Sequence, residues 1–152
     1  MFIIGLMSSL VVVSIPKGKS ASQKQASELA FALSLSLREA ISTGRPVSWS
    51  HVDGSNTFKR YFDGEWRSGQ FSSSGFRKAS RTDEIIVEVK MLGIETQLDP
   101  SDQENKRAQS PVLFFPTGEA TPADIRITSS DYDALYRVEP DGKVTLISED
   151  IR

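Results

Sequence analysis

The spacing of apolar residues changes twice along this chain, and each change marks a predicted boundary. Residues 1–15 are almost wholly apolar and contain no charge. Over residues 20–43 apolar side chains recur every three or four positions, the period of an amphipathic helix. Beyond Gly44 they recur every second position in short segments separated by turn-forming residues, which is typical of strands. The pattern predicts an α+β fold, with one long N-terminal helix packed on an antiparallel β-sheet or sandwich.

The apolar start is too short to cross a bilayer alone. As a helix it would span roughly 22 Å, whereas a crossing needs about 20 residues. A signal peptide would carry a basic start, which is missing, and a buried core helix is a second alternative. Lys17 and Lys19 end the run as polar flanks do at a membrane surface, which favours the second half of an anchor that begins upstream. Its spine residues would be Phe2, Ile3, Ile4, Leu6, Met7, Leu10, Val11, Val12, Val13 and Ile15.

The amphipathic segment is predicted to form a helix that ends near Thr43. Gly44 is a suitable C-terminal cap, and Pro46 prevents continuation. Phe31 and Leu35 fall outside the main apolar stripe, so they either widen it or form a second ridge for a partner. The stripe predicted to face the sheet consists of Ala26, Ala30, Leu33, Leu37 and Ile41.

The rest of the chain is predicted to form about seven strands. Asp53-Gly54 and Asp63-Gly64 are hairpin signals, and residues 111–115 form a wholly apolar run, typical of a strand buried on both faces. Residues 68–82 and 99–110 are aperiodic and are predicted to be loops. We divide the chain into a spine (1–19) and a globular domain (20–152), with its helix at 20–43 and its β-rich part at 46–148. The predicted strands are 46–52, 57–62 followed by 65–66, 83–91, 111–115, 124–128, 134–138 and 143–147.

Composition excludes several kinds of chemistry. The chain of 152 residues has no cysteine, so disulfides and thiolate chemistry are excluded, and a single histidine, His51, excludes a histidine pair for a metal. No nucleophile elbow or phosphate-binding glycine motif is present. We therefore predict a protein that is not an enzyme and has no cofactor. Asp99, Asp102 and Glu104, and separately Asp131 and Asp133, have oxygen ligands suitable for Ca²⁺, but neither set matches an EF-hand loop, and we interpret both as solvated acidic residues.

Nucleic acid is the alternative ligand. The net charge of −2 gives no overall attraction to phosphates. One basic cluster, formed by Arg67, Arg77, Lys78 and Arg81, lies near Trp66, Phe71 and Phe76. Cations beside aromatic rings are a combination that single strands use.

Several segments together resemble the GspH/FimT family of type IV pilin-like proteins, and most of all the minor pseudopilins of type II secretion systems. They are the apolar spine, Leu-Arg-Glu-Ala-Ile-Ser-Thr-Gly-Arg-Pro-Val at 37–47, Phe-Phe-Pro-Thr-Gly at 114–118 and Val-Glu-Pro-Asp-Gly-Lys-Val at 138–144. Family members also carry upstream a basic leader, a peptidase site and a Phe-Thr-Leu-x-Glu start, which this sequence lacks. We therefore expect that the sequence begins at an internal methionine.

The resemblance implies a pilin-like fold and a structural role. Such proteins are single-pass proteins of the bacterial inner membrane, with the globular domain in the periplasm. The implied partners are major and minor pseudopilins, which pack through the N-terminal helix, and inner-membrane lipid, with secreted substrate or the secretin as further candidates. The alternative within the family is a FimT-like minor type IV pilin that binds DNA in pilus assembly or natural transformation.

Overall fold

A computed structural model describes residue 18 and residues 20–69, 71, 73–79, 85–93 and 111–152. The predicted spine, residues 1–15, and the predicted loop at 99–110 lie outside this part of the chain. Within it the protein has the predicted α+β architecture: a long helix followed by antiparallel strands in two sheets.

Helix α1 spans Ala21–Thr43, and its two ends are fixed by local capping. The Ser20 hydroxyl accepts a hydrogen bond from the Gln23 N–H at 3.2 Å, which satisfies one of the unpaired donors of the first turn. Gly44 takes a left-handed conformation with φ of 66°, and its N–H donates to the Ala40 carbonyl. The predicted C-terminal end of the helix is confirmed.

The face that α1 buries differs from the predicted stripe. Ala26 and Leu33 are fully buried, Ala30 and Leu37 are half-buried at the margin of the core, and Ile41 is 52 % exposed. The prediction for Ile41 is wrong. The buried face is Ser22, Ala26, Leu29, Ala32, Leu33, Ser36 and Ala40.

The reason lies in the size of these side chains. The step from Leu37 and Ile41 to Ser36 and Ala40 is one position, or about 100° around the helix. Ala26 and Leu33 belong to both the predicted and the observed face, so the buried face as a whole turns by less than this. Alanine and serine let the helix backbone approach the sheets closely, whereas isoleucine would hold it away. Ser36 is compatible with burial because its hydroxyl donates to the Ala32 carbonyl at 3.0 Å.

The strands form two four-stranded antiparallel sheets. The first has the order β3-β2-β1-β5 and the second β4-β6-β7-β8. Asp53 and Gly54, with φ of 50° and 73°, and Asp63 and Gly64, with φ of 49° and 81°, form the predicted hairpin turns between β1, β2 and β3. The strands are β1 Val47–Val52, β2 Ser55–Phe62, β3 Glu65–Ser68, β4 Ile86–Met91, β5 Val112–Phe114, β6 Ala123–Thr128, β7 Tyr132–Val138 and β8 Val144–Ile151.

The core lies where α1 meets both sheets. Helix α1 contacts β1 and β5 of the first sheet and β7 and β8 of the second. The largest fully buried side chains are Trp49, Tyr132 and Phe114. Because one helix closes both sheets, its orientation fixes where the two sheets stand relative to each other.

Three predictions about the β-rich part need correction. The segment predicted as a loop at 68–82 contains a short helix, α2, at Ser74–Ala79, because Phe76 and Ala79 are buried there. Strand β5 is buried at Val112 and Phe114, but Leu113 is only half-buried. Strand β8 continues to Ile151, beyond the predicted end, because it pairs with β7 along its whole length.

Candidate interaction surface

Helix α1 carries an exposed line opposite its buried face. Lys24, Phe31 and Arg38 follow one another at intervals of seven residues and are all exposed. Phe31, 56 % exposed, is the large apolar side chain in this line. A phenylalanine left in water between two cations has a flat apolar face available to a partner.

Helix α2 packs beside α1 through a glycine. An added Cβ on Gly75 would lie 2.7 Å from Leu35 Cδ1 and 3.2 Å from Phe31 Cε1. The absence of a side chain at this position therefore lets α2 approach α1 closely. The sequence predicts that Phe31 and Leu35 either widen the stripe or form a second ridge for a partner outside the domain. Both lie against α2, an element of the same domain.

An open groove of about 480 Å³ runs between the two helices. Phe31 is the one large apolar side chain among its lining residues, and charged, polar or glycine residues form the rest. One exposed aromatic ring surrounded by polar side chains suits a contact with another helix. The groove is lined by Lys24, Ser27, Glu28, Phe31, Ser73, Ser74, Gly75 and Lys78.

A buried polar network attaches α2 to the first sheet. The Asn56 side-chain oxygen accepts hydrogen bonds from Trp49 Nε1 at 3.2 Å and from His51 Nδ1 at 2.9 Å. The Asn56 amide nitrogen donates to the Ala79 carbonyl at 2.7 Å, at the end of α2. Since the oxygen can only accept, His51 must carry its proton on Nδ1. The single histidine thus lies on the buried side of β1 and helps to position α2.

The predicted basic cluster is divided among separate places. Arg67 lies on β3 beside Arg45 and Phe62. Arg77 lines a hollow of about 510 Å³ with Phe58 and other residues of the first sheet. Lys78 lines the groove along α1, and Arg81 lies outside the described residues.

Of the acidic residues considered above as oxygen ligands, the structure describes Asp131 and Asp133, and both have partners within the protein. Asp131 accepts a hydrogen bond from the Ser129 hydroxyl at 2.7 Å, which lowers the pKa of this carboxyl. Asp133 pairs with Arg126 at 2.9 Å, and the hydrogen bond from Arg126 lowers its pKa. Asp99, Asp102 and Glu104 lie outside the described residues. Among the residues described, no group of three or more His, Asp or Glu side chains could hold a metal ion.

The described helices do not cross a membrane. Within residues 20–69, 73–79 and the remaining described segments, no helix is both long and apolar enough to do so. The predicted spine residues Phe2 to Ile15 are not part of those segments.

Sequence reasoning missed α2 and the arginines around Phe62. A signal for the second feature was present, because alternation along β2 places Phe58, Arg60 and Phe62 on one face. The Asp63-Gly64 turn then sets Arg60 opposite Arg67 on β3. The α2 segment is too short and too polar to stand out without the aromatic side chains that cover it.

Comparison with known proteins agrees with this geometry. The family described as "Type II transport protein GspH" matches residues 25–142. No curated protein sequence matches the chain significantly.

Solved structures with the same fold include two of the minor pseudopilin EpsH from the type II secretion system of Vibrio cholerae. Both are 17% identical, with TM-scores of 0.56 and 0.58, and the alignment covers 84% of this chain and 95% of EpsH. The type IV minor pilin FimU of Pseudomonas aeruginosa strain PAO1 is 16% identical with a TM-score of 0.54, over 83% of this chain and 87% of FimU. At this identity the likeness is one of fold. Because the family match extends from α1 to the turn before β8, the chain belongs to the GspH family of type II transport proteins.

Proposed function

We propose that this protein is a minor pseudopilin, a structural subunit of the periplasmic pseudopilus of a type II secretion system. In this proposal residues 1–19 are the spine held in the inner membrane, and residues 20–152 form the globular domain in the periplasm. Membership of the GspH family and the likeness to EpsH support the proposal.

The observation that carries the proposal is the division of α1 into two faces. One face, rich in alanine and serine, is buried within the domain. On the opposite line Phe31 contacts α2 but remains 56 % exposed, so the rest of its ring is available to neighbours. A helix that is packed into its own domain on one side and exposes an aromatic ring on the other can hold the domain and join a filament at once.

Assembly would be driven by burial of the exposed line and of the spine. Fully burying a phenylalanine stabilises by about 1.5–3 kcal/mol, so covering the exposed half of Phe31 contributes about 1 kcal/mol per contact. Passing an apolar spine from lipid into a bundle of similar spines keeps it out of water throughout. Individually weak contacts of this kind let a filament form and come apart. The proposed partners are therefore other pseudopilins, packed along α1.

Site-specific crosslinking in cells tests this arrangement. The chain has no cysteine, so one introduced residue gives a unique site. The full chain with Phe31→Cys, treated with a short bis-maleimide, is expected to crosslink to other cysteine-bearing pseudopilins. Ile86→Cys is the matched control, because Ile86 is 66 % exposed on the edge strand β4 of the second sheet, away from α1. Equal crosslinking at the two positions, or none at residue 31, would argue against packing through α1.

A minor type IV pilin is the second candidate, because the TM-score to FimU is nearly equal to that to EpsH. Deletion of the gene in its own bacterium separates the two candidates. A pseudopilin mutant is expected to retain its extracellular hydrolases inside the cell and to keep its surface pili. The opposite result, lost pili with normal secretion, would assign the protein to a pilus.

A further inference from the structure

A small cationic hollow lies next to the C-terminal end of α1. It has a volume of about 70 Å³ and is lined by Arg45, Arg60, Phe62 and Arg67. Arg45 directly follows the helix cap, and the other three residues come from the hairpin of β2 and β3. We call it the arginine hollow. None of its four residues lines the groove between α1 and α2.

The Phe62 ring holds two of the arginines in place. The Arg45 guanidinium carbon lies 4.0 Å from the ring centroid, and that of Arg67 lies 5.0 Å from the same centroid. Cations at such distances are attracted to the ring face. The guanidinium groups are therefore partly ordered before any ligand arrives, which lowers the entropy cost of binding.

The charges in the hollow are only partly balanced. Arg60 and Arg67 stand directly opposite each other on β2 and β3, an arrangement that is unfavourable for like charges. Glu39 of α1 forms an ion pair with Arg60, and both side chains are largely buried.

The other two arginines have weaker compensation. Glu65 lies 3.7 Å from Arg67, but both side chains are mostly exposed, so this pair contributes little. Arg45 forms no ion pair with any described residue. The partial negative charge at the carbonyl end of α1 favours one nearby cation, but it is too small to balance three arginines. An added anion would therefore be stabilised here.

We propose that the arginine hollow binds a side-chain carboxylate from an acidic polypeptide segment of a neighbouring protein. Arginine forms paired, planar hydrogen bonds with a carboxylate, and the hollow has room for one such group. The Phe62 ring would contact the apolar part of the same segment. This docking point goes beyond the proposed function and does not depend on contacts along α1.

Charge and shape disfavour nucleic acid at the same place. A polyphosphate needs a continuous basic track, but Asp63 and Glu65 border the hollow on the β2–β3 turn. Arg77 and Lys78 line other hollows and do not extend the track. A single carboxylate between two acidic neighbours is tolerated more easily than a chain of phosphates.

The experiment titrates the full chain, in a neutral detergent at low salt, with an end-blocked hexapeptide whose only charged residue is one glutamate. Binding is read from the ¹⁵Nε NMR signals of the arginines. We expect saturable shifts at Arg45 and Arg67. The double variant Arg45→Ala/Arg67→Ala is expected to bind about tenfold more weakly, equivalent to the loss of one charge-assisted contact.

Two controls make the result decisive. Arg77→Ala removes an exposed cation of α2, outside the hollow, and is expected to leave peptide affinity unchanged. Arg67→Lys keeps the charge but loses the planar fork, so an intermediate affinity is expected. A parallel titration with single-stranded (dT)12 tests whether the same arginines bind nucleic acid.

Absence of peptide binding at low salt would overturn the proposal. Equal weakening by Arg77→Ala would do the same, since it would indicate general charge attraction. Tighter binding of (dT)12 that depends on Arg67 and Arg77 together would replace the proposal with a nucleic-acid site. Failure in any of these ways leaves crosslinking at residue 31 unaffected, so the two proposals can fail independently.

Discussion

Replacing Gly142 by alanine is expected to disturb the packing of α1 against the second sheet. Gly142 lies in the turn between β7 and β8 and has φ of 76°. An added Cβ would lie 2.6 Å from Leu37 Cδ2, 2.8 Å from Cδ1 and 3.1 Å from Cγ. Leu37 belongs to α1 and is half-buried against the core. Because the new methyl group would meet its Cγ as well as both terminal methyl groups, the whole Leu37 side chain would have to change its position.

The expected loss has two parts. A non-glycine residue in the left-handed region costs about 1 kcal/mol or slightly more. Overpacking of a filled contact typically costs about 1–3 kcal/mol. Gly142→Ala should therefore lower the free energy of unfolding by about 2–4 kcal/mol, a large share of the usual total of about 5–15 kcal/mol.

Urea unfolding of the full chain in a neutral detergent measures this loss. The near-ultraviolet circular dichroism of Trp49, which is fully buried, reports tertiary packing. Gly64→Ala is the matched control, because Gly64 has φ of 81° but no atom within 4 Å of an added Cβ. It should show the backbone cost alone, about 1 kcal/mol.

A double-mutant cycle with Leu37→Ala isolates the steric part. The shortened side chain makes room for the new methyl group, so Gly142→Ala should cost about 1–3 kcal/mol less in that background. Equal losses for Gly142→Ala and Gly64→Ala, or no coupling to Leu37, would refute the reasoning that glycine is required here for contact with α1.

Two further predictions concern polar contacts. Asn56→Ala leaves two buried donors and the Ala79 carbonyl unpaired, so the free energy of unfolding should fall by about 3 kcal/mol. The control Ser55→Ala, on the exposed side of β2, should change it by less than about 0.5 kcal/mol. Similar losses for the two variants would contradict the network. The hydrogen bond from Arg137 lowers the pKa of Asp124 in the folded protein. The ionised carboxylate therefore stabilises the fold at pH values above the unfolded-state pKa of about 3.9. This stabilisation is lost as the pH falls through the lowered native pKa. In Arg137→Gln the Asp124 midpoint, read from side-chain ¹³C NMR, should move up toward that value, and an unmoved midpoint would show that the pair does not set it.

Local chemistry determined the bounds of α1 and the first two hairpins. Ser20 and Gly44 cap the helix through their own backbone and side-chain hydrogen bonds, and both residues of Asp53-Gly54 and of Asp63-Gly64 adopt positive φ in their turns. These features depend on contacts between residues four or fewer positions apart. A single sequence is therefore sufficient to find them.

The buried face of α1 depended on what the helix meets. Counting apolar residues chose Leu37 and Ile41, but two sheets close on the helix from different sides, and at its C-terminal end the small Ser36 and Ala40 are the side chains that are buried. Size mattered more than hydrophobicity at Ser36 and Ala40. Periodicity alone cannot reveal that preference.

The candidate sites depended still more on tertiary structure. The exposed line through Phe31 follows from the seven-residue spacing once the buried face is known, but helix α2 exists because Phe76 and Ala79 find a covered place, with Asn56 bonding to its last carbonyl.

The sequence by itself determined the class of the protein: a helix with capped ends, strands of period two and the segments shared with the GspH family. Only the tertiary structure decided which side of α1 is free and that Arg45, Arg60 and Arg67 meet around Phe62. The physical reason is the distance along the chain over which each kind of interaction acts. Capping and turn formation act between neighbours in the chain, whereas burial and charge clustering act between residues that only the completed fold brings together.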